Sequence, residues 1–577
     1  MRITPTHARI LESRIERRLA AIRAERIALL GAGHFTRALL GSRDDPGSFA
    51  GARVTGIIDE TPDRLEATLL GIPIVRSADD APCDAVVVAT PMHEPAILRR
   101  ASHGALGDRP VIGMHTVTDP DELGVDTLLL PETAWFGLDL PGLLEQSGRS
   151  CTIVGASGLP GFDQTDLAGF WDDNDATPAD SITWAGLDLF ALVRGSAACL
   201  LGRAKVDPVA DRPALIPLID ETIRIYESAI RCFQMARAPG AVVVANGLLH
   251  HQRAVAEAAL RCGKRAIAIE SSCFPGLCHL EPGSAQTGAR VAMGRSVRDR
   301  LEARIFSPAQ RERTTKFLRD RNPHTEHRND SASQPPPAPT GAIREQLRIP
   351  VGDRVLLLLG QVCTDTTLVY DAPIINDITE LARRAAQVVA RTPGWTLIIK
   401  PHPKEATGAD PIAARPYTLG AYDRLVNDRI LASPNVRLTG PTEHNVYALM
   451  RLADAGLAIN SQSALEMTAM FARPVCLVGR AAFAGAGFTR DVAHTSAFES
   501  TLLDLLTNPV LTRAQHDRAL QYVDHAVFEN LIPADVRTPA QALARDNEAV
   551  RILLGARETT ETARLIEHKE STTRAAV

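Results

Sequence analysis

The residues best suited to chemistry stand at the ends of apolar runs. Lys400-Pro401-His402-Pro403-Lys404 follows the run WTLII. Two prolines fix φ and stiffen the chain, so an imidazole and two ammonium groups are held where a buried strand would end. Such a set supplies donors to a phosphate on which negative charge develops; a surface turn is the alternative reading. Asn460-Ser461-Gln462-Ser463-Ala464-Leu465-Glu466 follows a second apolar run, AGLAI. Ser463 and Glu466 have the S-x-x-E spacing of a capping box, which by itself accounts for both. A helix start carrying two hydroxyls is also an anion site, with Ser461 the residue the cap does not need. Gln361 and Asp365, after RVLLLLG, are expected to face the same cleft.

A second group lies earlier. Asn246-Gly247 ends the run AVVVA, and Glu270 ends RAIAI. Both belong at the carboxyl edge of a sheet, where α/β proteins bind ligands. Glu270 suits a general base or an acceptor from a substrate hydroxyl, against the alternative of a solvated acid at a strand end. Near the N-terminus, Gly31-Ala32-Gly33-His34-Phe35-Thr36 keeps two glycines of G-x-G-x-x-G and replaces the third. Asp59 stands where an acid would meet a ribose hydroxyl. VVVATPMHEPAI, a little further on, resembles the fourth strand and turn of the cofactor domain in the glucose–fructose oxidoreductase family. NAD(P) binding at Gly31, Gly33 and Asp59 is one expectation for this region; a module kept for packing is the other.

Composition narrows the function classes. The chain has 577 residues, 45% hydrophobic and 23% charged, and a net charge of -5. That length exceeds one hydrophobic core and implies several domains. The charge balance gives no case for nucleic-acid binding, and 4% aromatics argues against a stacking platform for single strands. The nine cysteines include no CxxC, and Cys273, Cys278 and His279 have no second ligand pair at zinc spacing. Buried thiols in a reducing compartment, no metal site and a cytoplasmic protein, peripheral to the inner face of the membrane if it works there, are the expectations.

Short apolar runs alternate with helical stretches along most of the chain, which predicts parallel sheets. RIALL, VTGII, DAVVVA and RPVIG read as strands of a Rossmann-like module over 1–120. AVVVA and RAIAI read as strands of a lobe over 121–321, although 121–215 has no clear pattern. Residues 322–341 carry three consecutive prolines and no apolar periodicity, and read as a linker. RVLLLL, WTLIIK, NVRL, AGLAI and RPVCLV fall in a further lobe over 342–540, followed by a charged helical tail over 541–577.

The order of these segments is itself informative. VVVANG, IESSCFPG, GQVCTD, IIKPHPKE and the block from TEHNVYALM to VGRAAFAGAG resemble, over roughly 235–510, the bacterial capsule polysaccharide biosynthesis proteins, 3-deoxy-manno-octulosonic acid (Kdo) transferases among them. The HP loop and the S-x-S-x-x-E block with its PVxLVGxAxF continuation carry most of the likeness. The resemblance implies a two-lobed GT-B-like pair of parallel-sheet domains after the Rossmann-like module. It further implies a CMP-linked acidic sugar as donor, a glycan or glycolipid acceptor, no metal cofactor, and contact with polysaccharide assembly or export proteins at the inner membrane. His402, Ser461 and Ser463 would then hold the nucleotide phosphate, with Gln361, Asp365, Lys400, Lys404 and Glu466 around it. Glu270 would be the catalytic carboxylate, and Asn246 and Gly247 would line the acceptor side. The chain departs from the family pattern at Ser271-Ser272 and Ser284-Ala285-Gln286, where glycines and a valine–asparagine pair are usual. A dinucleotide-dependent oxidoreductase and a non-catalytic assembly scaffold are the rival readings.

Overall fold

The structure, a computed structural model, describes residues 3–41, 43, 45–59, 68–90, 94–102, 109–162, 165, 167–174, 177–272, 274, 276–283, 301, 306–320, 334–403, 405, 417–427 and 433–554. Among them the chain forms three larger sheets, each flanked by helices, so the fold class is α/β with several parallel-sheet units.

Helix α1 (Pro5–Ile22) begins at Thr4, whose hydroxyl accepts from His7 N. It leads into β1 (Arg26–Leu30), α2 (His34–Gly41), β2 (Ala52–Ile58), β3 (Ile72–Val75), β4 (Ala85–Val88) and β5 (Val111–Gly113). These strands lie in the order β3-β2-β1-β4-β5 and are parallel. The continuous apolar runs reflect burial on both faces, the signature of parallel strands covered by helices.

The second sheet takes β6 (Thr127–Leu129) and β7 (Cys151–Ile153) from the stretch that carries no clear sequence pattern. Helices α3 (Leu189–Leu201) and α4 (Arg212–Gln234) follow. Next come β8 (Ala241–Ala245), α5 (His250–Arg261), β9 (Arg265–Ser271) and β10 (Leu277–Pro282). Strands β7-β6-β8-β9 are parallel, and β10 returns antiparallel to β9 with Glu270 opposite His279.

The third sheet comprises β11 (Arg354–Leu359), α6 (Thr366–Asp371), β12 (Trp395–Lys400), β13 (Val436–Leu438), β14 (Ala455–Ala458), α7 (Ser463–Phe471), β15 (Val475–Leu477) and β16 (Arg490–Asp491). Its order is β13-β12-β11-β14-β15-β16, parallel throughout. The chain turns from one side of β11 to the other between β13 and β14. The topological switch, where ligands of open α/β sheets bind, therefore lies between the ends of β11 and β14.

Two boundaries differ from those read in the sequence. Residues 334–339 of the expected linker lie against the third unit: Gln334 Oε1 accepts from Val446 N at 2.9 Å, and Pro335 O accepts from the Asn445 amide at 3.1 Å. A helix starts at Thr340, inside the same stretch; residues 321–333 fall outside the described ones. At the other end, β17 (Ile532–Pro533) adds to the second sheet beside β10. The helices Pro539–Leu543 and Glu548–Leu554 also pack there, with Val550 and Leu553 in the core and the Asn547 amide donating to Leu280 O at 3.1 Å. The charged helical tail read over 541–577 is helical where described but begins with residues that close the second unit, while 555–577 are not described. An amphipathic segment of this length shows which face is apolar, but not which of two sheets it will cover.

The first unit is bolted to the second through α1. Arg14 is buried; its guanidinium donates to Met114 O, Ile153 O and Thr152 Oγ1 and pairs with Glu122 at 2.9 Å. Leu11, Ile15, Leu143 and Ile153 share one core with Leu29 and Val87. No helix among the described residues is long and apolar enough to cross a membrane.

Candidate nucleotide and acceptor site

The HP loop takes its position from a glycine. Leu359 is paired with Lys400, so β11 and β12 end side by side. Gly360 N donates to Lys400 O at 2.8 Å. A Cβ at Gly360 would lie 2.2 Å from Lys400 O, 2.8 Å from Pro401 Cα and 2.9 Å from His402 N. Only glycine lets the loop cross the end of β11 this closely. The resulting pocket is lined by Gln334, Gly360, Lys400, His402, Val446 and Ser463, among others. It brings His402 and Ser463, 61 positions apart in the chain, onto one surface.

Lys400 is placed differently from the expectation. It is the last residue of β12, buried, and its ammonium donates to Pro401 O and Pro441 O. Burial pulls its pKa down to about 8, with Glu443 pulling the other way. It thus lines the pocket from the end of its strand, while two of its three N–H donors are taken by carbonyls. Lys404 lies outside the described residues. Glu405, next along the loop, is buried, and that burial pushes its carboxyl up to about 7; the Thr418 hydroxyl and Leu419 amide beside it offset only part.

The start of α7 corrects the capping-box reading. Gln462 is the N-cap and makes no side-chain cap bond; instead Ser461 Oγ accepts from Ser463 N at 3.3 Å. Ser461 is therefore the capping hydroxyl, and Ser463 is the one turned to the pocket. Glu466 is buried beneath the helix, where its Oε1 accepts from Tyr447 Oη at 3.1 Å. The spacing is right for a capping box, but burial of Glu466 against the helix Val446–Leu452 takes its carboxylate away from the N-cap.

Gln361 and Asp365 meet at the topological switch. Gln361 Nε2 donates to Asp365 Oδ2 at 2.9 Å, Thr367 Oγ1 at 3.1 Å and Asn460 Oδ1 at 2.6 Å. Asp365 also caps α6 by accepting from Thr367 N at 3.0 Å. These bonds tie the exits of β11 and β14 together and place the two residues beside the pocket as its frame. Asn460, not singled out in the sequence as a side chain with its own role, is the acceptor at the centre.

On the second sheet, Glu270 and Asn246 are neighbours. Asn246 Nδ2 donates to Glu270 Oε2 at 3.0 Å, and Ser271 donates to Oε1 through N and Oγ at 2.9 and 3.0 Å. The half-buried carboxylate is thus oriented from both sides, which a merely solvated strand-end acid would not be. Gly247 has φ +66, the left-handed turn that glycine favours. Between the units, a second cavity is lined by Phe274 and His279 from β10 and its approach, and by Asn460, Gln462, Phe483 and Tyr522 from the third unit. His279 faces this cavity from the strand paired with β9; the sequence flagged it only as a zinc-spacing possibility.

Two histidine pairs escaped sequence reading because their partners are remote. Glu132 pairs with His251 at 3.2 Å, and Glu94 accepts from His115 N and Nδ1 and from Thr116 Oγ1. Among the described residues no cluster of His, Cys, Asp or Glu could hold a metal ion.

At the N-terminal glycines, Gly31 has φ +105 and donates to Ile58 O at 2.8 Å. Asp59, expected beside a ribose, turns instead to the loop: its Oδ2 accepts from Ala32 N at 3.1 Å. Thr36, at the place of the missing third glycine, donates its hydroxyl back to Gly31 O. Gly33 has open space where a Cβ would stand.

Residues 340–501 match the model of a family described as "Capsule polysaccharide biosynthesis protein". The likeness drawn from the order of segments is thereby shown for the third unit. No curated protein matches the chain. Among solved structures, KpsC from Thermosulfurimonas dismutans, a beta Kdo 2,7 transferase, is 16% identical, with 51% of this chain and 82% of that one covered and a TM-score of 0.29. The KpsC beta Kdo 2,4 transferase of the same organism is 16% identical over 49% of this chain and 79% of that one, with a TM-score of 0.32. An alpha,alpha-trehalose-phosphate synthase (UDP-forming) from Burkholderia vietnamiensis is 12% identical over 59% and 64%, with a TM-score of 0.30.

Proposed function

We propose that this chain is a glycosyltransferase of surface-polysaccharide assembly, with a nucleotide-linked sugar, CMP-linked and Kdo-like, as donor. The observation that supports the reading most is the pocket shared by His402 and Ser463 at the end of β12 and the start of α7. A phosphate seated there receives an imidazole, a hydroxyl and the positive end of a nine-residue helix, with Lys400 beneath. As the sugar leaves, charge builds on that phosphate, and donors already in place stabilise it. Glu270, held by Asn246 and Ser271, faces the acceptor side as general base or as the group that steadies the reacting sugar. The match of 340–501 to the capsule polysaccharide family gives the sugar chemistry its class. The acceptor is a glycan or glycolipid. No metal or other cofactor takes part, so turnover persists in EDTA. Polysaccharide assembly or export proteins at the inner face of the membrane are the partners proposed.

His402→Ala tests the reading. Turnover of a CMP-linked donor should fall about 10²–10³-fold, the range for one preorganised donor to a developing anion, while the melting temperature hardly moves. A variant that melts far below the parent yet keeps its activity would make His402 structural and sink the proposal. A thermal-shift panel of CMP, UDP, CDP, GDP, NAD and NADP fixes the base, since a ligand bound only by the folded chain raises its melting temperature. Stabilisation by NAD alone would favour the oxidoreductase reading, which the Asp59–Ala32 bond at the glycine loop counts against.

A further inference from the structure

Tyr370 stands near the end of α6, the short helix that Asp365 caps. Its hydroxyl accepts from Gly195 N at 3.0 Å and donates to Ala191 O at 3.2 Å. Those are the two groups that the i to i−4 ladder of α3 would pair with each other. A hydroxyl from the third unit thus bonds both groups of one rung of a helix of the second, and a side chain engaged with the ladder in this way pins the helix where it touches. Two cations lie over the ring, with the Arg194 and Arg253 guanidinium carbons 4.7 and 4.9 Å from its centroid. Arg253 Nη1 also donates to Ala191 O at 2.6 Å. The slot depends on a missing side chain: a Cβ at Gly195 would stand 2.8 Å from the tyrosine ring and hydroxyl and 2.6 Å from Leu248 O.

Both ends of this contact run to the site. On one side, α6 begins at Asp365, which holds Gln361 at the switch of the third sheet. On the other, α3 presents Ser196, whose Oγ accepts from His250 N at 3.0 Å and bonds His250 Nδ1 at 2.8 Å. Leu249, the N-cap of α5, makes no side-chain cap bond of its own, so Ser196 fixes the start of that helix from outside. The turn just before it is Asn246-Gly247, and Asn246 holds Glu270. A bonded path therefore joins Asp365 to Glu270 through Tyr370, α3 and His250.

We infer that Tyr370 is a positioning residue that sets the acceptor-side carboxylate Glu270 against the pocket of His402 and Ser463. The inference rests on the transferase reading for its consequence in turnover, but not for the joint itself. Tyr370 works through α3 and α6; the pocket around His402 is built by other residues.

The test uses the full chain with Tyr370→Phe, which keeps the ring and removes the inserted hydroxyl, and Gly195→Ala, which fills the slot. CMP affinity, measured by calorimetry, should stay within about twofold of the parent in both, because the proposed phosphate pocket is built without Tyr370. The kcat should fall about tenfold in Tyr370→Phe and further in Gly195→Ala, with the donor KM little changed, since misplacing reacting groups costs the chemical step. Amide exchange at Gly195 should quicken about tenfold or more in Tyr370→Phe while Leu356–Leu358 keep their protection. Unchanged kcat in Tyr370→Phe, or a loss of CMP affinity that matches the loss of kcat, overturns the inference. A parent chain that neither binds CMP nor turns over a CMP-linked sugar defeats the transferase reading instead. Exchange at Gly195 then decides the joint alone, and unaltered protection in Tyr370→Phe overturns it.

Discussion

The first and third units solve the same problem of topology and end differently. Each is built on parallel strands whose order switches beside a glycine at the end of its first strand: Gly31 after β1, Gly360 after β11. In the first unit, among the described residues, Asp59, Thr36 and Glu94 near the switch bond to neighbouring groups of the same unit or just beyond it. Asp59 takes the Ala32 amide, Thr36 returns its hydroxyl to Gly31 O, and Glu94 is spent on His115 and Thr116. In the third unit Gln361, Asp365 and Asn460 also bond internally, but they do so as a brace across the switch. The crossing of Gly360 by the HP loop then leaves His402 and Ser463 on a pocket beside that brace. A glycine turn at a switch point can therefore sit in two different polar surroundings. The two differ in whether the nearby polar groups bond within the turn or a second segment crosses it and leaves side chains on a pocket.

The contrast breaks most visibly at the two glycines' neighbours. Gly360→Ala places a Cβ against backbone atoms that cannot rotate away. It should displace the HP loop, lower donor turnover by about 10²-fold or more and cost about 1–3 kcal/mol of stability. Turnover assays and denaturant melts of the purified variant measure both, and a variant with parental activity would show that the close crossing is dispensable.

After this largest effect on turnover comes the bolt between the first two units, whose effect falls on stability alone. Arg14→Met leaves Glu122 without its close partner and strands the carbonyls of Met114 and Ile153, so stability should drop by about 3–5 kcal/mol. Urea melts check the size. CMP affinity of the folded fraction should be unaffected, and a matching loss of CMP binding would bring the first unit into the donor site. For the same reason, removing residues 1–120 wholesale would test folding before it tested function.

Glu405 gives a pH dependence of intermediate size. Its folded pKa is raised from 4.5 to about 7, so the folded chain binds its proton more tightly than the unfolded one. The stabilisation is full below about 4.5 and is lost as pH rises towards 7. Glu405→Gln should flatten that slope and melt a few degrees higher than the parent at pH 8, by about 2–6 °C. Parallel melting curves of the two proteins from pH 5 to pH 8 would refute the buried-acid account.

The smallest effect is expected where the first unit has closed on itself. Asp59→Asn should change turnover of a CMP-linked donor by less than about twofold, because the residue belongs to a different sheet from the pocket. Calorimetry with NAD on parent and variant sharpens the comparison. NAD binding in the parent that Asp59→Asn abolishes would give the first unit a ligand of its own.

The strands with continuous apolar runs were legible because burial on both faces writes itself into consecutive residues: RIALL, AVVVA and WTLIIK all stand where their sequences place them. Thr127–Leu129 and Cys151–Ile153 were not, since three-residue strands are too short to display a period. Of the candidate residues, the placement of His402, Ser463 and the Asn246–Glu270 pair at strand and helix ends could be read from strand ends and turn chemistry. The hydrogen bonds of Lys400 could not be read, because an ammonium at a strand end meets the carbonyl of Pro441 only through a segment 41 residues away.

The sequence by itself determined the alternation of strands and helices, the glycine that must follow β11, and the loop stiffened by Pro401 and Pro403. These depend on backbone sterics and on periodicity within a few residues, which any window of the chain contains. Only the tertiary structure decided that Ser461 caps α7 while Glu466 is buried against Tyr447, that 532–554 return to complete the second unit, and that Tyr370 enters the slot at Gly195. Each of those outcomes is a choice among partners distant in the chain. It is settled by which surfaces can be buried together without leaving a polar group unpaired.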